Sequence, residues 1–272
     1  MHNIFSKIKN GWEHDLHVHT NWSQDIAFDG PNAKDYIPIA QKYHVHIGFL
    51  DHFELLREKE TQWKLNLNTI DAYLKEMDEL KKQYDFITTG LEIDYYPELE
   101  DKIEKFLNSD YGDKFDFLVG SMHETDLYYP VTQRDKLHEL ILKYGNFEAV
   151  VEKYYERLSK MINSGLFSAI AHPDVIFRFC TNQDLENKKY EVDERLIEIL
   201  KPCISNNILI ELNISGLYFE VGRTFPSETV VNHLLANGAK FFVGSDSHSV
   251  HDFEKRILNV RKAHDLVQKM KE

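Results

Sequence analysis

Cysteine is nearly absent: Cys180 and Cys203 are the two in a chain of 272 residues. They lie far apart without CxxC spacing, and no secretory signal precedes them. The expectation is a reduced, cytoplasmic protein rather than a disulfide framework. No run of eighteen or more apolar residues occurs, so no membrane-spanning helix is expected. Asn21-Trp22-Ser23 and Asn213-Ile214-Ser215 fit the glycosylation pattern, which means little without such a signal. Basic clusters are missing as well. The formal net charge is −13, with Lys and Arg scattered among Asp and Glu. Nucleic-acid polymers are held by clustered positive charge, so the expected partner is a small molecule, and a few local positive groups suffice for a small anion. There is no Pro/Gly/Ser-rich linker, helical-hairpin repeat or low-complexity tract. Residues 1–272 therefore read as a single domain, close to the roughly 250 residues of one α/β barrel.

What the chain does contain is seven short apolar, β-branched or aromatic runs: "HDLHVHT", "HVHIGFLDH", "FITTGLEIDY", "FDFLVGSMHE", "FSAIAHPDV", "NILIELNISG" and "KFFVGSDSH". Each reads as a strand. Helical periodicity fills the intervals. Over 68–84, Ile70, Tyr73, Met77, Leu80 and Tyr84 share one face, with Asn68 or Thr69 as the cap. Ser227 caps a further helix ending near Gly238, Gly145-Asn146 separates two helices, and Phe253, Ile257, Val260 and Val267 mark a C-terminal one. Strand alternating with helix about seven times predicts an α/β fold with a parallel sheet. Almost every run begins apolar and finishes in His, Asp or Glu. That favours a closed or nearly closed barrel, where the C-terminal strand ends meet on one rim.

Fourteen histidines are present. Six fall at predicted strand ends: His17, His19, His52, His123, His172 and His248. Glu92 and Asp246 share that layer. A lone strand-end histidine is more often a packed or hydrogen-bonded residue than a ligand; eight ligand-type residues from the ends of several strands are not explained that way. Side chains at i and i+2 on a strand point to one side, so His17 and His19 aim two imidazoles into one cavity while Leu16 and Val18 face the helices. Asp246 and His248 repeat the spacing. Imidazole and carboxylate donors without thiolate suit Zn, Mn, Fe or similar ions, and the number of donors implies two or three of them. His2, His138, His233, His251 and His264 lie in the tail or in helical segments and read as solvated or packed. His44 and His46 open their strand at the opposite rim, and His14 precedes the pair as at most a supporting residue.

Taken in order, "HVHT" at 17–20, "DH" at 51–52, "GLEID" at 90–94, "SMH" at 121–123, "AHPD" at 171–174 and "SDSH" at 245–248 resemble the PHP (polymerase and histidinol phosphatase) family of metal-dependent phosphoesterases. The resemblance covers nearly the whole chain. It implies a distorted (β/α)7 TIM-like barrel with up to three divalent metals at the C-terminal rim. Carried over residue by residue, it puts His17, His19, Glu92 and Asp246 on one ion. Glu92 bridges to a second, completed by His123 and His172, and a third takes His52, His248 and Asp25. Many relatives have a histidine where this chain offers Asp25, which implies weaker binding of the third ion. "AHPDVIFRF", "IELNISGL" and "VGRTFPS" look like the branch that hydrolyses L-histidinol phosphate in histidine biosynthesis.

Phosphomonoester hydrolysis needs a nucleophile, charge neutralisation and a proton for the departing alkoxide. Metal-bound water answers the first. Arg178 and Arg223, in loops after their strands, are expected to add fork-shaped donors to the phosphate; the plain alternative is a surface arginine paired with a nearby carboxylate. Asp246, His19 and Asp25 are proton-donor candidates by position. Asp94, Glu124, Tyr128 and Phe219 are rim candidates for the ammonium and imidazole of the substrate. Rival readings are a PHP-type exonuclease or nucleotide phosphoesterase, which wants a basic path, and a metal-dependent amidohydrolase, which "SMH" and "SDSH" fit poorly. A structural metal module is expected to be Cys-rich and closed, unlike this donor set.

Overall fold

Each of the seven runs forms a strand in the computed structural model, which describes residues 4–56, 64–181, 185 and 189–268; His2 lies outside them. The strands are β1 (Glu13–Val18), β2 (Val45–Phe53), β3 (Ile87–Asp94), β4 (Phe117–Ser121), β7 (Ala169–Ile170), β8 (Leu209–Asn213) and β9 (Phe241–Gly244), with a small β5 (Glu124–Asp126) and β6 (Tyr129–Pro130) between. They hydrogen-bond in the order β1-β2-β3-β4-β7-β8-β9, parallel wherever the register is defined. Strand order and direction are those expected of a distorted (β/α)7 barrel. The chain divides into two compact units, one comprising 1–94, 98–119 and 243–272, the other 95–97 and 120–242.

In the first unit β1, β2 and β3 are buried almost throughout, so they read as continuous apolar runs rather than alternating ones. Gly48 admits the close approach of β1: a Cβ there would stand 2.8 Å from the Leu16 Cα. The β1–β2 register slips between Asp15 and Val18, three steps on β1 facing two on β2. Such a bulge re-aims the side chains that follow it. An isolated bridge, Val18 to Ser247, joins β1 to the segment after β9. The helices are α1 (Ala33–Tyr43), started by an Asn32/Asp35 capping box, α2 (Ile70–Lys81), α3 (Glu100–Leu107) and a C-terminal one at Val250–Gln268. That last helix buries Phe253, Ile257, Val260 and Val267 as its periodicity predicts. The cap expected for α2 differs. Thr69 sits at the N-cap position, but its hydroxyl accepts from the Asn66 N–H and donates to the Lys64 carbonyl, so the preceding turn takes the group that would have capped the helix.

The second unit carries α4 (Arg134–Tyr144), α5 (Phe147–Ser164), α6 (Lys189–Ser205) and α7 (Glu228–Ala236); the helix at Val250–Gln268 is hereafter α8. Gly145 at φ 94° ends α4, and the Asn146 side chain accepts from the Ala149 N–H to start α5. Ser227 caps α7 through the Val230 N–H. The β5–β6 hairpin went unforeseen because its strands are two and three residues long and include Pro130. Among the described residues no helix is long and apolar enough to cross a membrane.

Candidate metal centre

In the first unit, seven of the residues expected as ligands come together. His17 and His19 are fully buried, and their Nε2 atoms lie 3.0 Å apart. Asp246 Oδ1 is 3.1 Å from His19 Nε2 and 3.8 Å from His17 Nε2. Glu92 Oε2 stands 3.4 Å from His17 Nε2 and 3.7 Å from His19 Nε2. The same Glu92 oxygen lies 3.0 Å from His52 Nδ1, and Asp25 Oδ2 faces His52 at 3.6 Å and His248 at 2.9 Å. These are two adjoining sets: His17, His19, Glu92 and Asp246, then His52, His248 and Asp25.

Local backbone geometry aims them. Asp246 has φ 55°, a left-handed conformation uncommon for a residue with a side chain. Its N–H donates to the His17 carbonyl at 2.8 Å, while the buried Arg256 of α8 donates to the carbonyls of Ser245 and Asp246. Asp15, which shares a strand face with His17, accepts the Ser245 N–H at 2.8 Å and ties β1 to the same turn.

Electrostatics separates the donors. Burial, together with the neighbouring His248 and His52, pushes His19 down to about 3, which leaves it a neutral imidazole. Burial alone would raise Asp246, yet His19, 3.1 Å away, and the surrounding imidazoles hold it well below the ordinary carboxylate range. Asp25 is lowered in the same way: burial opposes ionisation, and His52 and His248 outweigh it. Burial would depress His52 and His248, but Glu92 and Asp25 raise the first and Asp25 raises the second. The neutral His19 nitrogen beside the ionised Asp246 is the donor chemistry of a divalent cation site.

In the second unit His123 and His172 meet at 3.3 Å between Nε2 atoms. His172 is buried, with φ 20°, and its N–H donates to Glu211 Oε2 at 2.8 Å. The two arginines do not behave alike. Arg178 lies over the Phe219 ring, 3.9 Å from its centroid. Arg223 is mostly buried; its Nη2 donates to Asp174 Oδ2 at 2.8 Å, and Nη1 stands 3.8 Å from Asp193. The plain carboxylate-paired alternative thus describes Arg223. Of the rim candidates, Asp94 and Glu124 are buried, Tyr128 is exposed at φ 70°, and its N–H donates to Glu124 Oε2.

The histidines set aside fall where expected. His14, His46 and His264 are buried and hydrogen-bonded, and His44, His138, His233 and His251 are exposed. Sequence reasoning missed Asp51, Asp174 and Glu211, all fully buried. The first two stand inside the quoted "DH" and "AHPD" motifs, so the signal was present.

Residues 15–215 match the model of the PHP domain family. Histidinol-phosphatase of Bacillus subtilis is 29% identical over 204 residues, covering 68% of this chain and 72% of that protein. A Clostridium acetobutylicum protein named "Probable histidinol-phosphatase" is 25% identical over 246 residues, 86% of each. Among solved structures, a Listeria monocytogenes chain provisionally described as a histidinol phosphatase superposes with a TM-score of 0.75 at 24% identity, covering 88% of this chain and 97% of its own. A Lactococcus lactis histidinol phosphate phosphatase, complexed with zinc, L-histidinol and phosphate, gives 0.67 at 21%, covering 95% and 93%. With the match spanning most of its length, this chain belongs to the PHP domain family.

Proposed function

We propose that the protein is a metal-dependent phosphomonoesterase that hydrolyses L-histidinol phosphate to L-histidinol and phosphate, as the names of its Bacillus and Lactococcus relatives suggest. The observation that carries this reading is the convergence of His17, His19, Glu92 and Asp246 in one buried cluster, with the neutral His19 beside the ionised Asp246. That set fits ions of the zinc, manganese or iron type, and zinc accompanies the Lactococcus structure. In the proposed assignment these four residues hold one ion; Glu92 with His123 and His172 holds a second; His52, His248 and Asp25 hold a third. When bound, such ions lower the pKa of coordinated water towards neutrality and offset charge on the phosphoryl oxygens.

The chain itself supplies orientation. Arg178, 3.9 Å over the Phe219 ring centroid, and Arg223, held by Asp174, are the proposed phosphate contacts, both planar and charge-assisted. Asp246, His19 and Asp25 are the proposed candidates for protonating the departing alkoxide. The substrate is a small molecule, in keeping with the acidic surface. The 272 residues are proposed to act as one domain, and the cytoplasm is the proposed location, in keeping with a chain of only two cysteines without CxxC spacing.

The test is phosphate release at matched metal loading. Histidinol phosphate should exceed p-nitrophenyl phosphate, AMP and single-stranded oligonucleotide in kcat/KM by at least about 10²-fold, a gap worth roughly 2.7 kcal/mol of differential transition-state binding. A nucleotide that outperforms histidinol phosphate overturns the substrate in favour of a nucleotide phosphoesterase. Metal analysis of protein purified without chelator reads the ions directly.

A further inference from the structure

His19 is fixed from behind. Its Nδ1 lies 2.9 Å from the hydroxyl of Ser23, and that hydroxyl lies 2.8 Å from Asp51 Oδ1. All three residues are fully buried. Asp51 also accepts the Thr20 N–H at 2.7 Å through the same Oδ1, and the Thr20 hydroxyl at 2.9 Å through Oδ2. The Ser23 oxygen receives the His52 N–H at 3.1 Å.

A serine hydroxyl has one proton to give and two lone pairs to receive with. Asp51 Oδ1, already an acceptor for Thr20, takes the Ser23 proton. The lone pairs of Ser23 then face the His52 N–H and His19 Nδ1, so Nδ1 must carry a hydrogen. An imidazole that ligates a cation is neutral and has only one N–H, so with Nδ1–H its Nε2 is left as a bare lone pair. That Nε2 is the atom pointed at His17, Asp246 and Glu92. A metal-ligating imidazole usually has its other nitrogen held by a carboxylate or carbonyl, which sets tautomer and ring orientation. Here the carboxylate acts through a hydroxyl. We infer that Ser23 and Asp51 are positioning residues that hold His19 in the Nδ1–H form, against the Nε2–H form in which it would donate to Asp246 at 3.1 Å, an inference that rests on the metal reading above.

The order of proton donation has a further consequence. Because the Thr20 N–H can only donate, it keeps an oxygen at the Oδ1 position even if Asp51 becomes Asn; the amide nitrogen then faces the Thr20 hydroxyl, which can accept. Asp51→Asn therefore preserves the relay, whereas Ser23→Ala severs it.

The experiment reads the tautomer on metal-free protein labelled with 15N-histidine, using long-range 1H–15N spectra in which the His19 signals are those missing from His19→Gln. Wild type and Asp51→Asn should show Nδ1–H with unprotonated Nε2, and Ser23→Ala should lose that preference. Chelator competition should then find the ion held through His19 about 10- to 100-fold weaker in Ser23→Ala. An Nε2–H form in the wild type overturns the relay, as does a Ser23→Ala protein that binds zinc within twofold of wild type. A wild type that binds no divalent ion overturns the metal reading instead, and the tautomer, measured without metal, still decides the relay separately.

Discussion

His52 on β2 and Glu92 on β3 occupy directly opposed positions in the parallel ladder, and their side chains meet at 3.0 Å between Nδ1 and Oε2. The same carboxylate oxygen faces His17 and His19, so one residue links the two ligand sets of the first unit.

Glu92→Gln should therefore damage both sets at once. The amide keeps the volume but removes the anion, leaving the imidazoles without the charge that holds a cation among them. Turnover of histidinol phosphate is expected to fall by on the order of 10²–10³-fold, with weaker retention of metal, the scale seen when a preorganised charge-stabilising group is lost. Far-UV circular dichroism should stay native. Near-normal activity with full metal content would remove Glu92 from the centre.

Arg256→Lys tests the turn that carries Asp246. Arg256 donates to two successive carbonyls, one of them that of Asp246 in its left-handed conformation. Both bonds come from Nη1, held in the guanidinium plane, and the shorter-reaching ammonium of a lysine cannot meet both carbonyls with the same geometry. Stability should drop by about 1–3 kcal/mol, the range for losing a buried charged hydrogen bond, and metal affinity should fall with it. Urea unfolding and chelator titration of the same samples would show whether the two losses travel together.

His46 sets part of the acid sensitivity. Burial, only partly offset by Asp116 and Asp85, lowers it to about 4, and its Nδ1 accepts the Lys9 N–H. The folded pKa lies below the unfolded value near 6.5, so the unfolded chain takes up the proton first. Stability is full above about pH 6.5 and is lost as pH falls towards 4. Between pH 7.5 and 5 this one group costs about 2 kcal/mol. In metal-free protein, His46→Gln should shrink the difference in unfolding free energy between those two pH values by that amount. An unchanged difference would mean that His46 is protonated in the fold.

How much of this was legible in the sequence depends on range. The seven strands were readable because burial of both sheet faces demands continuous apolar runs, and the metal donors because polar residues ending such runs are costly without a purpose. Asp51 and Glu211 were not singled out, since each is one more acid within or beside an otherwise apolar strand. Their roles are set by partners at 20, 23 and 172, which only folding brings near. The pairing of Arg223 with Asp174 was equally invisible at a separation of 49 residues.

That pairing divides the two arginines. Asp174 is fully buried, and burial, countered by Arg223 and reinforced by Asp193, raises it to about 6. Removing the cation leaves a buried carboxylate uncompensated, which costs roughly 3–5 kcal/mol. Arg223→Ala should thus be strongly destabilised at pH 7.5. Because the folded pKa of Asp174 then lies still further above its unfolded value, the folded state binds the extra proton, and stability should recover as pH falls towards 5.5. Arg178→Ala removes a cation that lies over the Phe219 ring at a partly exposed position, a contact worth about 0.5–1 kcal/mol. It should remain folded across that range while kcat/KM for histidinol phosphate falls by roughly 30- to 1000-fold, equivalent to about 2–4 kcal/mol. Unfolding curves at both pH values beside steady-state kinetics would separate the two. An Arg178→Ala enzyme within about fivefold of wild type would leave Arg178 as surface packing.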